Sequence, residues 1–103
     1  MLQLLACVLS ILSVDALAAP SNHHDSQYRC DTGARLEVTY TTAVDGDSTA
    51  MLEVDGKLYL MKQERAASGA RYVADELVWW SKGNEGVLLK NGRVIHSNCQ
   101  LLE

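Results

Sequence analysis

The 103-residue chain is short of positive charge, histidine and cysteine, and each shortage narrows what it can do. Nine Lys and Arg stand against thirteen Asp and Glu, for a formal charge of −4 at pH 7. With no basic patch, it is a poor candidate for nucleic acid, and its acidity would instead attract a basic partner. Its three histidines are scattered: His23 and His24 in "PSNHHDSQ", His96 alone near the end. No cysteine or carboxylate stands near them at ligand spacing, so no metal site and no cofactor is expected. The longest apolar stretch, "LLACVLSILSV", is too short to cross a bilayer. Helical periodicity, internal repeats and linkers are missing as well.

What is present begins with an export pattern. The apolar stretch leads to Ala16-Leu17-Ala18, an A-x-A cleavage site followed by Ala19 and Pro20. It reads as a signal peptide, although the leading "MLQ" carries no Lys or Arg. The expected division is signal peptide 1–18, flexible N-terminal tail 19–27 and one domain 28–103. Cleavage removes Asp15, leaving 9 basic against 12 acidic residues, or −3. It also removes Cys7, so Cys30 and Cys99 remain, 69 positions apart, and a structural disulfide is expected between them. Closing a loop of that length is worth roughly 4 kcal/mol in the chain-entropy model, which matters for a domain of about 85 residues with a marginal core. "LLAC" faintly resembles a lipobox, but apolar residues follow Cys7 where a lipoprotein has a polar linker. Periplasmic export without a membrane anchor is therefore the expectation, and a lipoprotein is the alternative.

From Gln27 onward, apolar and polar residues alternate in the period of half-buried strands. "RLEVTY" places Leu36, Val38 and Tyr40 on one face. "AMLEVDGKLYLMK" is a hairpin around Asp55-Gly56, with Leu52, Val54, Leu58 and Leu60 expected inward. "ARYVADE", "LVWW" and "EGVLLK" follow, and Asn91-Gly92 turns the chain into "RVIHSNCQLL". With "QYRC" at the front these make eight strands. The expected fold is all-β: a small eight-stranded antiparallel barrel closed by a disulfide, its interior filled by side chains.

Chemistry is sparse. Asp45, Asp47 and Asp55 lie in turns, where aspartate is an ordinary turn former. Ser68 and Lys82 are the one nucleophile pair worth naming. Lys82 would have to be desolvated to act as a base, and a lysine followed by Gly83 in an exposed loop is not. The chain is therefore not expected to be an enzyme, nor to take a small-molecule substrate. Ser68 and Lys82 read either as plain loop residues beside turn glycines or as groups presented outward to a carboxylate-bearing pocket. Trp79 and Trp80 divide by alternation, one into the core and one outward, where it either covers the barrel or anchors an interface.

"YRC" (Tyr28 to Cys30), "AASGARY" (Ala66 to Tyr72) and "WWSKGNEGVLL" (Trp79 to Leu89), closing on Cys99, together resemble the MliC/PliC family. These are membrane-bound and periplasmic inhibitors of C-type lysozyme from Gram-negative bacteria. The resemblance runs from Tyr28 to Cys99. It implies an eight-stranded barrel that is an inhibitor and whose partner is C-type lysozyme. It also implies that Ser68 of S-G-x-x-Y and Lys82 of W-x-K-G enter the lysozyme cleft and contact its two catalytic carboxylates. Gly69, Tyr72 and Gly83 complete the implied binding set, Tyr72 as a support for the serine loop. Lysozymes of this type are basic, so the acidic chain would meet them faster. Gly86 departs from the family's alanine in K-G-x-E-A and is expected to loosen the strand after the lysine tip. The competing expectation is a small ligand-binding or structural envelope barrel that kept the fold without inhibition.

Overall fold

Alternation in the sequence becomes alternation in space. The computed structural model describes residues 22–102. The expected signal peptide and the start of the tail lie outside them. Eight strands follow one another: β1 (Asn22–Arg29), β2 (Arg35–Thr42), β3 (Ser48–Val54), β4 (Lys57–Glu64), β5 (Ala70–Ala74), β6 (Leu77–Lys82), β7 (Glu85–Lys90) and β8 (Arg93–Leu102). Each pairs antiparallel with its neighbours, and β8 returns to β1, closing the barrel. That seam is short, pairing Gln27–Arg29 with Gln100–Leu102, and the Cys30–Cys99 disulfide lies beside it.

The interior is filled by Val38, Leu52, Met61, Leu77, Trp79, Leu88 and Cys99, all fully buried. Aromatic side chains supply its polar contacts. The Trp79 indole N–H donates to the Tyr40 hydroxyl at 2.9 Å, and the Tyr40 and Tyr28 hydroxyls share a 2.8 Å hydrogen bond. Tyr28 packs edge-on against Trp79 at 5.0 Å, and Tyr72 lies 5.6 Å from Tyr40. The hydroxyls of Tyr28 and Tyr40 thus satisfy one another, as buried polar groups generally must. Burial in this cluster pushes the phenols of Tyr28 and Tyr72 above the ordinary range.

Two expectations need correction. Leu58 and Leu60 face outward, 61% and 59% exposed, while Tyr59 and Met61 point in. A two-residue turn at Asp55-Gly56 pairs Val54 with Lys57, Leu52 with Tyr59 and Ala50 with Met61. Cross-strand partners share a face, so an inward Leu52 requires an inward Tyr59. The second concerns residues 22–27, expected as part of a flexible tail. They belong to β1, where Asn22↔Thr42 through Gln27↔Glu37 pair with β2. Among the described residues Asn22–Ser26 have no β8 partner, and this stretch is mostly exposed and polar without being irregular. Thr39 Oγ1 donates to Asp25 at 2.7 Å, and His24 rests against Tyr40 with ring centroids 5.4 Å apart.

Candidate functional site

In an up-and-down barrel, alternate connections open at the same end. The β4–β5 loop, carrying Ser68, and the β6–β7 turn, following Lys82, therefore emerge together, separated by the single hairpin β5–β6. That hairpin turns at Asp75-Glu76, where Asp75 takes a φ of 52°, and pairs Ala74 with Leu77. The ladder continues to Ala70↔Ser81, so Ser68-Gly69 and Lys82 meet at its open mouth.

Gly69 makes the meeting possible. Its φ is 69°, and a Cβ there would stand 2.5 Å from the Ser81 carbonyl oxygen and 2.6 Å from Lys82 Cγ. Only a residue without Cβ lets the serine loop lie this close to the lysine stem. Gly83 has a different task. It occupies the first central position of the β6–β7 turn with a φ of 59°, nothing lies near its missing Cβ, and Lys82 pairs with Glu85 across the turn. Glycine there suits a tight II′-type hairpin.

Trp80 joins the two tips. Its indole N–H donates to the Ser68 carbonyl at 2.9 Å, and the Lys82 ammonium stands 4.6 Å from its ring centre. The Arg71 guanidinium is 5.5 Å from the same ring and pairs with Glu64 at 2.6 Å. Sequence reasoning undervalued Trp80. Alternation makes it outward-facing, but which residues it would touch follows only from the barrel's stagger.

Ser68, Gly69, Lys82 and Gly83 are thus brought together, all exposed. Tyr72 is not among them. It is 7% exposed, points into the barrel and packs on Tyr40. Gly86, expected to loosen its strand, is instead tightly packed: an added Cβ would collide with the Trp79 indole.

Lys82 has no carboxylate partner among the described residues, whose one ion pair is Arg71–Glu64. Lys82 and Ser68 are both exposed at this mouth, one a cationic donor and the other a hydroxyl that can donate or accept. Among the described residues there is no group of three potential metal ligands.

The family model for membrane-bound lysozyme-inhibitor of c-type lysozyme matches residues 28–97. The chain belongs to this family. Among its relatives is a membrane-bound lysozyme inhibitor of C-type lysozyme from Cupriavidus necator, 38% identical over 79 residues. That alignment covers 72% of this chain and 62% of the relative, so less than two thirds of the relative's length is spanned. A Yersinia enterocolitica protein of the same description is 37% identical over 84% of this chain and 70% of its own length. Among solved structures, Pseudomonas aeruginosa MliC in complex with hen egg white lysozyme superposes with a TM-score of 0.70 at 30% identity. The match covers 90% of this chain and 100% of that one. PliC-St, the periplasmic lysozyme inhibitor of C-type lysozyme from Salmonella typhimurium, gives 0.73 at 26% identity over 80% of this chain and 100% of its own.

Proposed function

We propose that this family member inhibits C-type lysozyme by inserting the Ser68 loop and the Lys82 tip into the active-site cleft. The observation that carries this reading is the juxtaposition of an unpaired ammonium and an exposed serine at one hairpin mouth. A retaining glycosidase places a protonated and an ionised carboxyl group on either side of the bond it cleaves. An ammonium and a hydroxyl delivered between them occupy the sugar's place and engage both carboxyls in unproductive hydrogen bonds. The relative solved with hen egg white lysozyme supports lysozyme as the partner. Related proteins are named as inhibitors, so the activity proposed is binding and not catalysis.

The same reading places the protein in the periplasm, between host lysozyme and the peptidoglycan it would protect. Export with cleavage before Ala19 and no lipid is part of the proposal, and the intact mass of the exported protein checks it.

The deciding experiment is inhibition of lysozyme-driven cell lysis by the purified domain and its variants, with circular dichroism as a folding control. Lys82→Ala removes the cation buried against the carboxyls and should cost about 2–5 kcal/mol of binding. Ser68→Ala removes a hydrogen bond to a charged group, about 1.5–3 kcal/mol. The double variant should lose less than the sum, since both groups act on one carboxyl pair. A folded Lys82→Ala protein that inhibits like the wild type would refute the mechanism.

A further inference from the structure

Trp80 is outward-facing and half-buried, and its two polar contacts lie away from the barrel's interior. The first is to a loop with little else to hold it. Among the described residues, loop 65–69 makes no backbone–backbone hydrogen bond outside the strand ladders, and the Trp80 indole N–H is what secures Ser68. The second is to a flexible side chain. A free lysine has among the largest rotamer freedoms of any residue, yet the Lys82 stem runs past Gly69 and its ammonium lies over the Trp80 ring. The ring itself is flanked by Arg71, which Glu64 holds in turn. Glu64 and Arg71 are also the last cross-strand pair of β4 and β5, at the base of the serine loop. The contacts therefore run from the loop base to Trp80, and from Trp80 to both tips.

We infer that Trp80 is a positioning residue: its indole N–H sets the Ser68 loop, and its ring face holds the Lys82 ammonium, so one side chain fixes the spacing of the two tips. The inference rests on reading those tips as the inhibitory pair. Groups held in their bound arrangement lose less entropy on binding. Trp80 acts through Ser68 and Lys82, and its contribution is therefore coupled to theirs.

Two variants divide the roles. Trp80→Phe keeps an aromatic face for Lys82 and removes the N–H, so inhibition should weaken about fivefold, the equivalent of one net hydrogen bond. Trp80→Leu removes both contacts and should weaken it more than tenfold, since an exposed cation–π contact is lost as well. Each is combined with Lys82→Ala and with Ser68→Ala. Positioning predicts that Trp80→Leu costs little once Lys82 and Ser68 are already gone. A direct contact between Trp80 and lysozyme predicts an undiminished cost, and that result would overturn the inference. Thermal unfolding of each variant confirms that the barrel persists.

A second measurement needs no lysozyme. In the NMR spectrum of the free protein, the Lys82 methylene next to the ammonium should be shifted upfield by the indole ring current. The shift should persist in Trp80→Phe and vanish in Trp80→Leu. A wild-type Lys82 resonance at its random-coil position would overturn the inference whatever the inhibition data show. If Lys82→Ala inhibits normally while the ring-current shift is present, the reading of the tips fails and the Trp80–Lys82 contact stands. If Lys82→Ala is impaired while folded Trp80→Leu inhibits normally, positioning by Trp80 is the part that is wrong.

Discussion

Replacing Gly69 with alanine tests whether the spacing of the tips matters apart from their chemistry, because it leaves both Ser68 and Lys82 in place. Alanine at a φ of 69° is in the left-handed region, at a cost of about 1–2 kcal/mol. Its Cβ would also press on the Ser81 carbonyl oxygen at 2.5 Å. That oxygen belongs to β6 and cannot retreat without disturbing the ladder. Overlap with fixed neighbours adds roughly 1–3 kcal/mol. Against these terms, the loop is held by the Trp80–Ser68 hydrogen bond, worth only about 0.5–1.5 kcal/mol net. The cheaper response is for the loop to detach, so the barrel should survive with its melting temperature lowered by less than about 10 °C. Inhibition should fall by roughly 10- to 150-fold, the loss of a serine hydrogen bond to a charged group. Gly92→Asn, in the β7–β8 turn at the opposite end of the barrel, is the control: its φ is 78°, its surroundings are open, and asparagine tolerates a left-handed conformation. Calorimetry and lysozyme inhibition on the three proteins decide the matter. If Gly69→Ala melts and inhibits like the wild type, the close approach of the two tips is irrelevant to function.

Three further outcomes are expected. Replacing Cys30 and Cys99 together with serine should lower stability by about 2–5 kcal/mol in urea unfolding, because the β1–β8 seam pairs only Gln27–Arg29 with Gln100–Leu102; two titratable thiols in the native protein would contradict the disulfide. Burial raises Tyr28 and Tyr72 above the ordinary phenol value of 10.0, so the folded chain keeps protons that the unfolded chain releases. Stability from these groups is complete below that value and falls as pH rises beyond it; a melting temperature that stays flat through alkaline pH, or one equally sensitive in Tyr28→Phe, would count against this cause. Gly86→Ala should cost roughly 1–3 kcal/mol by forcing a methyl group against Trp79, read as a lower melting temperature with altered near-ultraviolet dichroism.

The barrel was legible because its signals are local and agree with one another. Asp55-Gly56 and Asn91-Gly92 take the positive φ values that such pairs supply, and Leu36, Val38 and Leu52 obey the two-residue period. Where reading failed, a pairing constraint overruled hydrophobicity. Leu58 and Leu60 are at least as apolar as Tyr59 and Met61, but the register imposed by the Asp55-Gly56 turn commits the leucines' whole alternation to the outside. Residues 22–26 misled for the opposite reason. A strand paired on one edge and solvated on both faces needs no apolar period, and its polar composition is the same as that of a tail.

At the site, the residues were legible and their mutual support was not. Ser68 and Lys82 were identifiable as presented groups from flanking glycines and motif order, and the two glycines look alike in sequence. Their surroundings separate them. Gly83 is required by a turn, whereas Gly69 is required by a contact with Ser81 and Lys82, residues more than ten positions away. Likewise Trp79 and Trp80 are adjacent and chemically identical, yet alternation sends one indole N–H to Tyr40 inside and the other to Ser68 outside. A one-residue slip of β6 would exchange them, burying the residue that organises the tips and exposing the one that fills the core. The fit of Gly86 against Trp79 opposes that slip, since the space it leaves matches an indole at position 79. The packing of the core and the placement of the proposed inhibitory pair are therefore set by the same register, and a change that loosens Trp79 should be felt at Lys82.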